Sequence, residues 1–572
     1  MMHLFFIIIA GLSSSVYLHK HPIRGDVAVV VESLVFLALY AVIGIQQRHV
    51  GWTGFALSSK CVMLHVGSII MSTIAYRTSP FHPLYNFPGP ILNKVTSLRL
   101  LHMAYSGRRH LIIARLHEKY GNIVRTGAHS CRHSLSNCTA DPSLHFFQGP
   151  NTLSINSQAA IAPIYATAAA MDRSSAYKMG ELSGSSLFFF QDREKHHERR
   201  RIWAPAFTSQ AIEKYMPGIE IRTHQLMECL VARRDSAGQI NISQCFQHWA
   251  YDVMGDFTFG GSSRLELMAN GDPRELVKAG QLAMMAYEIL GEVPSLFQIL
   301  WHLPTTNDIR RLERHAVKLM HTRRIVGSTA GGHEDIASYL LGENESNVSR
   351  SSHLPTEDLE AEALFVIQAG SDTTSGVLSF LFYFLLSHQT AFDRLQNELD
   401  AAFPDASMPL HSETLENLPF LNAVIDESLR LGTPFPGLPR VSPPGGAIID
   451  GAYIAEGTIV SVPTYAQQIS EENFWPEPLQ FKPERWLPEG LGPGSRTCRS
   501  ALMAFSFGPF GCLGKALAVQ QLRLVTARLI LTYHLTLHPS FDSENFLKGI
   551  RNIKTTLFPY ALTVMASPRA QK

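Results

Sequence analysis

Phe505-Ser-Phe-Gly-Pro-Phe-Gly-Cys512-Leu-Gly514, close to the C-terminus of a 572-residue chain, decides how the rest of the sequence reads. It places one cysteine in a tight loop punctuated by Gly508, Gly511 and Gly514. Directly after it, Lys515 to Leu535 carries apolar residues at helical spacing. A thiol at the mouth of a helix feels the positive end of the helix dipole and nearby unpaired N–H groups. Both favour thiolate, the form that ligates metals. The glycines let backbone pass close to a large flat object and point amides at the sulfur. A single cysteine is ordinarily a buried free thiol; the ten-residue pattern around this one sets it apart.

That pattern, F-x-x-G-x-x-x-C-x-G, resembles the haem-thiolate loop of the cytochrome P450 superfamily, and the resemblance extends over about residues 83–565. It implies a mainly α fold with small β-sheets (α+β) and a long central helix over the haem. It also implies that Cys512 is the axial ligand of the iron of haem b (iron protoporphyrin IX), with Phe505, Gly508 and Gly514 shaping the cofactor loop.

Further motifs carry the resemblance in order. Pro355 opens an apolar run to about Ser387, with Glu357, Asp358 and Glu360 loading its first turn as the dipole prefers. Its middle, Ala369-Gly-Ser-Asp-Thr-Thr374, resembles the family motif A/G-G-x-D/E-T-T. Gly370 there leaves space against a flat cofactor. Thr373 can return its hydroxyl to a carbonyl one turn back and loosen the helix, and Asp372 supplies protons from the solvent side. Glu427-Ser-Leu-Arg430 would by itself be a surface pair. With Arg485 of Phe481-Lys-Pro-Glu-Arg-Trp486, the resemblance implies a buried triad of Glu427, Arg430 and Arg485 that locks the cysteine loop. His196 to Phe207 (HHERRRIWAPAF) keeps the register of the family's W/H-x-x-x-R helix. This implies that His196 and Arg200 hold a haem propionate, chemistry suited to a cation meeting a carboxylate. Arg440, ending Pro434-Phe-Pro-Gly-Leu-Pro-Arg440, is the implied second propionate partner. One departure stands out: Phe510 occupies the position, two before the cysteine, where the family usually has Arg or His. That removes one propionate contact and leaves Arg440, Arg200 and His196.

Around these motifs, size and composition suit one large catalytic domain behind a leader. The formal charge of 49 minus 48, or +1, gives no bias toward nucleic acid. Seven cysteines without paired spacing fit a reducing compartment. The sequons at Asn137, Asn241, Asn344 and Asn347 would stay unmodified in a cytosol-facing domain. Residues 1–77 read as a membrane anchor with one to three transmembrane segments, and 78–572 as the catalytic domain, joined by the stiff hinge Phe87-Pro-Gly-Pro90. Of the three apolar stretches Leu4–Leu18, Val27–Ile45 and Cys61–Tyr76, only the second reaches the usual ~20 residues of a span. No signal-peptide n-region or cleavage site is clear. With three spans, the positive-inside tendency puts Lys20, Arg24, Arg77 and the body in the cytosol, with Arg48 and Lys60 opposite; the endoplasmic reticulum is the expected membrane.

Leu111 to Tyr120 is a helix stopped by Gly121, and Asn122 to Arg125 a first strand. Ala128 to Gly149 has no period, and in the resembled family the first strand turns straight into the second. The stretch therefore reads as an insert at 128–149, or as residues from an unremoved intron. Its Cys131, His133 and Cys138 lack zinc spacing. Ser174 to Leu187 is the expected loop over the substrate, 209–325 is mostly helical, and Gly327 to Pro355 reads as a surface connection.

The resemblance implies a monooxygenase acting on a lipophilic small molecule with O2. Electrons would come from NADPH through a separate NADPH-cytochrome P450 reductase, because no flavin- or nicotinamide-binding domain is evident. Phe365, Val366, Ala369, Phe435 and Leu438 suggest an apolar substrate pocket. The leader and hinge are similar to those of fungal enzymes of secondary metabolism, which favours a terpenoid-like substrate. Two alternatives remain at this stage. One is a haem-thiolate isomerase or dehydratase that does not use O2, a class that often lacks the acid–threonine pair. The other is a non-catalytic product caused by the insert.

Overall fold

The computed structural model describes residues 2–21, 25–47, 51–127, 152–167, 170–177, 185–260, 263–301, 307–327, 335–343, 354–433, 435, 437–553 and 555–569. The insert at 128–149 with its Cys131, His133 and Cys138, the sequons at Asn137, Asn344 and Asn347, and residues 178–184 of the expected substrate loop lie outside the described residues.

Three N-terminal helices come first: α1 (Met2–Lys20), α2 (Gly25–Gln47) and α3 (Trp52–Thr78). Over Gly25–Ile45 and Trp52–Thr78 the chain is long and apolar enough to cross a membrane, whereas the apolar part of α1, Phe5–His19, is shorter. The third stretch is thus longer than its apolar core suggested. Nothing between Trp52 and Lys60 breaks a helix, so the turn is displaced back to Gly51, whose φ is 98°. Small residues bring α1 against α3: a Cβ on Gly11 would lie 2.6 Å from Ser68 Cβ. His65 of α3 contacts Ser14 of α1 at 3.1 Å and Glu32 of α2 at 3.3 Å, joining all three helices. These features fit a membrane anchor.

The body continues through α4 (Ile91–Val95), α5 (Leu98–Tyr105) and α6 (Arg109–Tyr120), then β1 (Ile123–Gly127), β2 (Thr152–Ile155) and β3 (Asp172–Arg173). Next come α7 (Arg193–Trp203), α8 (Ser209–Ala232), β4 (Ile240–Asn241) and α9 (Ile242–Phe259). They are followed by α10 (Leu267–Asn270), α11 (Leu276–Gly291), α12 (Pro294–Leu300), α13 (Asn307–Val326) and α14 (Ile336–Leu340). The C-terminal half holds α15 (Thr356–Ser387), α16 (Gln389–Ala402), α17 (Ser412–Glu416), α18 (Pro419–Leu431), β5 (Arg440–Val441), β6 (Ala447–Ile449), β7 (Ala452–Ile454), β8 (Ile459–Ser461), α19 (Thr464–Gln468) and α20 (Lys515–Thr532).

α15 is the axis. It is apolar nearly all round, as a helix must be when other helices enclose it, and it packs against α9, α13, α18 and α20. Leu378, Leu381, Phe382 and Leu385 have no solvent exposure. The chief sheet has the order β1-β2-β8-β5-β3. β1 and β2 pair directly as antiparallel neighbours, with Gly127 opposite Thr152 across the uncharacterised stretch between them. β3 against β5 sets Arg173 opposite Arg440.

Two expectations are corrected. The helix after Cys512 ends at Thr532, and Tyr533–Leu537 is a strand paired with Thr563–Pro568. Tyr533 and Leu535 are buried while His534 is exposed, a two-residue period that the partner strand exploits. The stretch 327–355 is not all surface. Ile336, Ala337 and Leu340 of α14 are buried, and the buried Arg323 guanidinium donates to Asp335 at 2.5 and 3.0 Å and to Glu343 at 2.8 Å.

Candidate functional site

The cysteine loop is held by its own backbone. Cys512 N–H donates to Phe505 O at 2.8 Å and Gly511 N–H to Gly508 O at 2.9 Å, closing a compact turn. Gly508 has φ 63°, and a Cβ there would lie 2.1 Å from Tyr165 O, so only glycine fits. Gly508 thus faces the strand-rich side of the body; among the described residues it does not line the cavity that Cys512, Phe505 and Gly514 share.

The Cys512 side chain opens into that cavity rather than onto bulk solvent. Its pKa is raised, because enclosure within the protein outweighs the Gly514 N–H and the charges of Arg200 and Lys515, which pull it down. The amide thus favours the thiolate as expected, together with the two neighbouring cations, and enclosure opposes them. A cation bonded to the sulfur would favour its ionised form further.

The cavity, of about 300 Å³, lies between the loop and the middle of α15. Asp372, Thr373, Phe365, Val366, Ala369, Phe435, Leu438, His196, Arg200 and Arg440 all face it, so one space gathers every expected site residue except Gly508 and the triad. The Thr373 hydroxyl donates to Ala369 O at 2.7 Å, the one-turn return foreseen from the sequence. Gly370 lines the cavity, as expected of a residue that leaves space there, and it also meets a neighbouring helix. A Cβ there would lie 2.5 Å from Met254 Sδ, so its missing side chain admits α9 to α15. Asp372 is buried beneath the Tyr251 hydroxyl, which donates to it at 3.1 Å, and the Gln368 amide, which also donates to it. Burial pushes its pKa up to about 7, against the opposing pull of those two donors.

At the other end of the cavity, positive groups crowd around Phe510. The guanidinium of Arg173 lies 4.5 Å from the Phe510 ring centre, that of Arg440 5.0 Å, and the His196 ring 4.5 Å. Arg200 donates to Gly511 O at 2.7 Å, and Arg173 to the carbonyls of Leu187, Phe188 and Phe190 at 3.0, 2.8 and 3.1 Å. The Nε atoms of Arg173 and Arg440 and Nδ1 of His196 are buried without partners, and among the described residues no carboxylate pairs with any of these arginines. Burial, then the three guanidiniums, drives His196 down to about 2; burial and the neighbouring arginines bring Arg173 down to about 9. So dense a set of unmatched donors suits a dianionic ligand, and the two propionates of haem b fit it. Arg173 was invisible in the sequence, where Asp172-Arg173 belongs to no motif; it reaches the site through its cross-strand register with Arg440.

The triad forms as expected. Arg430 donates to Glu427 at 2.8 and 2.7 Å and Arg485 at 3.0 Å, all of them buried. Trp486 Nε1 and the Lys482 backbone N–H complete the carboxylate at 2.9 Å each. The link to the cysteine loop runs through Gln468, another residue no motif announced: its amide donates to Arg430 O at 2.6 Å and accepts from Met503 N–H at 3.0 Å.

Comparisons with known proteins agree with this geometry. A family model for Cytochrome P450 matches residues 142–558. Among curated relatives, Cytochrome P450 67 of Uromyces fabae is 30% identical over 89% of this chain and 91% of its own. Tryprostatin B 6-hydroxylase of Aspergillus fumigatus is 31% identical over 87% and 85%, respectively. Cytochrome P450 monooxygenase FCK2 of Fusarium pseudograminearum is 28% identical over 95% and 92%. With the cysteine loop, the acid–threonine helix and the buried glutamate–arginine triad in one body, the chain belongs to the cytochrome P450 family and is an oxidoreductase of its monooxygenase class.

Proposed function

We propose that this protein is a haem-dependent monooxygenase that hydroxylates or otherwise oxidises a lipophilic small molecule of fungal secondary metabolism, a terpenoid-like hydrocarbon or its oxygenated derivative. The observation that carries the reading is the opening of Cys512 and the Asp372–Thr373 pair into one apolar cavity. Haem bound there would be held by the Cys512 thiolate and would supply the redox chemistry of dioxygen. Arg173, Arg200, Arg440 and His196 would hold its propionates.

The remaining chemistry belongs to the chain's own side chains. Asp372, with a pKa of about 7, holds a proton at its carboxyl close to neutrality and can release and regain it. Tyr251 and Gln368 fix the carboxyl so that the proton is available at a defined place beside Thr373. Phe365, Val366, Phe435 and Leu438 exclude water and orient an apolar substrate, with Phe188 stacked on Phe365 at 5.3 Å between ring centres to stiffen the wall. A hydrocarbon skeleton suits such a lining because few polar groups there demand a partner. One relative's name records 6-hydroxylation of tryprostatin B, which supports the hydroxylation reading. Electrons would come from NADPH through a separate cytochrome P450 reductase at the endoplasmic reticulum membrane, with the body on the cytosolic side.

The acid–threonine pair argues for O2 chemistry over a peroxide isomerase or dehydratase. The test is the carbon-monoxide difference spectrum of the reduced protein beside NADPH-driven turnover with the reductase. The thiolate-type band and O2 dependence are expected, and Cys512→Ser should lose both. NADPH-independent turnover of a peroxide would overturn the reading in favour of the isomerase class, and absence of any haem band would make the chain a non-catalytic product.

A further inference from the structure

Where the anchor meets the body, positive charge accumulates without anions. Residues 61–117 contain no aspartate or glutamate and six lysines and arginines. Four basic side chains converge there: Arg77 in the last turn of α3, His82 just beyond it, Lys94 on α4 and Arg125 on β1. Arg77 donates to Val95 O at 2.5 Å, and Arg125 to Arg77 O at 3.2 Å. Lys94 lies near enough to Arg125 that, after burial, its charge lowers the lysine pKa.

The cluster is frustrated as it stands. Arg125 is fully buried, and among the described residues Nε of both Arg125 and Arg77 lacks a partner. Leu84 N–H meets His82 Nδ1 at 3.0 Å while Arg125 Nη2 meets His82 Nε2 at 3.2 Å. A neutral imidazole has one proton and one lone pair, so one of these contacts sets donor against donor. Among the described residues no carboxylate pairs with any of the four. Burial, then the neighbouring guanidiniums, takes His82 down to about 3, and burial brings Arg125 down to about 10. Around this charge the surface is apolar and open: Phe81 is 84% exposed, Ile91 74% and Leu92 63%. An anion with attached hydrocarbon, at the end of a helix long enough to span a bilayer, matches both features.

We propose that Arg77 and Lys94, both half-buried and backed by Arg125 and His82, bind the phosphate of an anionic phospholipid whose acyl chains lie along Phe81, Ile91 and Leu92. The site is welded to the hinge: Arg125 N–H donates to Pro88 O at 2.7 Å, and a Cβ on Gly89 would lie 2.4 Å from Arg125 O. A bound headgroup therefore fixes how the body approaches the membrane. The proposal rests on the anchor reading of residues 1–77, and its test separates the two.

The test uses full-length, haem-loaded protein in phosphatidylcholine nanodiscs containing a minority of phosphatidic acid, with retained lipid read by native mass spectrometry. A basic side chain at an anionic surface contributes about fivefold in affinity, so the Arg77→Gln, Lys94→Gln double variant should lose about twenty-fivefold in phosphatidic acid retention. Arg115→Gln, an exposed charge elsewhere, and the charge-keeping Arg77→Lys, Lys94→Arg pair should retain it. The reduced carbon-monoxide spectrum shows that each variant is folded. Equal retention by wild type and the Gln double variant overturns the site, as does an equal loss in Arg115→Gln. Displacement of the lipid by inorganic phosphate overturns the lipid assignment. Protein that enters the discs without preferring phosphatidic acid refutes the site alone, and protein that stays out of them refutes anchor and site together.

Discussion

Replacing Phe510 by arginine gives the loop the residue type its family usually has there, yet this structure predicts a weaker cofactor site. The Phe510 ring lies 4.5 Å from the Arg173 guanidinium and 5.0 Å from that of Arg440. A third guanidinium in its place meets two like charges at roughly those separations. At an effective dielectric of ~20 each contact costs about 3–4 kcal/mol. Loss of the two cation–π attractions adds about 0.5–1 kcal/mol each. If side-chain swing halves the sum, about 4 kcal/mol remains, a large part of the ~5–15 kcal/mol by which domains are stable. Phe510→Leu loses the two attractions and part of the ring's packing, about 2–3 kcal/mol. Haem-to-protein ratio and thermal midpoint, measured on protein expressed with limiting haem, should rank wild type above Phe510→Leu and both well above Phe510→Arg. An arginine variant that equals wild type in both would refute the reasoning, because Arg173 could not then be standing against this ring.

Glu427→Ala leaves two buried guanidiniums without their carboxylate and should cost ~3–5 kcal/mol, read as a lower denaturation midpoint with loss of the thiolate-type spectrum. Asp372 binds its proton more tightly folded, with a pKa of about 7, than unfolded, near 3.8. Its contribution to stability is therefore complete below the lower value and lost as pH rises through the upper one, by about 4 kcal/mol at most. Asp372→Asn should flatten that part of the melting-temperature profile; an unchanged slope assigns it to other groups. Gly370→Ala drives a methyl into Met254 and should cost ~1–3 kcal/mol. In a double-mutant cycle with Met254→Ala the two losses should overlap, the pair costing less than the sum of the singles, because the added methyl occupies space that Met254 vacates; strict additivity in the same melt would refute the contact.

What the sequence determined by itself was whatever depends on neighbours along the chain. The cysteine in its glycine loop, the uninterrupted apolar run of α15 with acids at its start, and the Glu427–Arg430 spacing are local patterns that sterics and hydrogen-bond reach constrain directly. Helix limits came out less well where a partner decided them. Tyr533–Leu537 is strand because Thr563–Pro568 offers it a ladder, and α14 is buried because Arg323 draws Asp335 inward. Only the folded chain could bring Arg173 opposite Arg440, set Tyr251 on Asp372, place Gln468 between triad and loop, and fill the notch of Gly370 with Met254. Those contacts join residues far apart in the chain, and each is chosen by the shape and charge of a surface that exists only after packing. The raised pKa of Cys512 belongs there too, since enclosure, which no motif encodes, outweighs the Gly514 amide and the charges of Arg200 and Lys515.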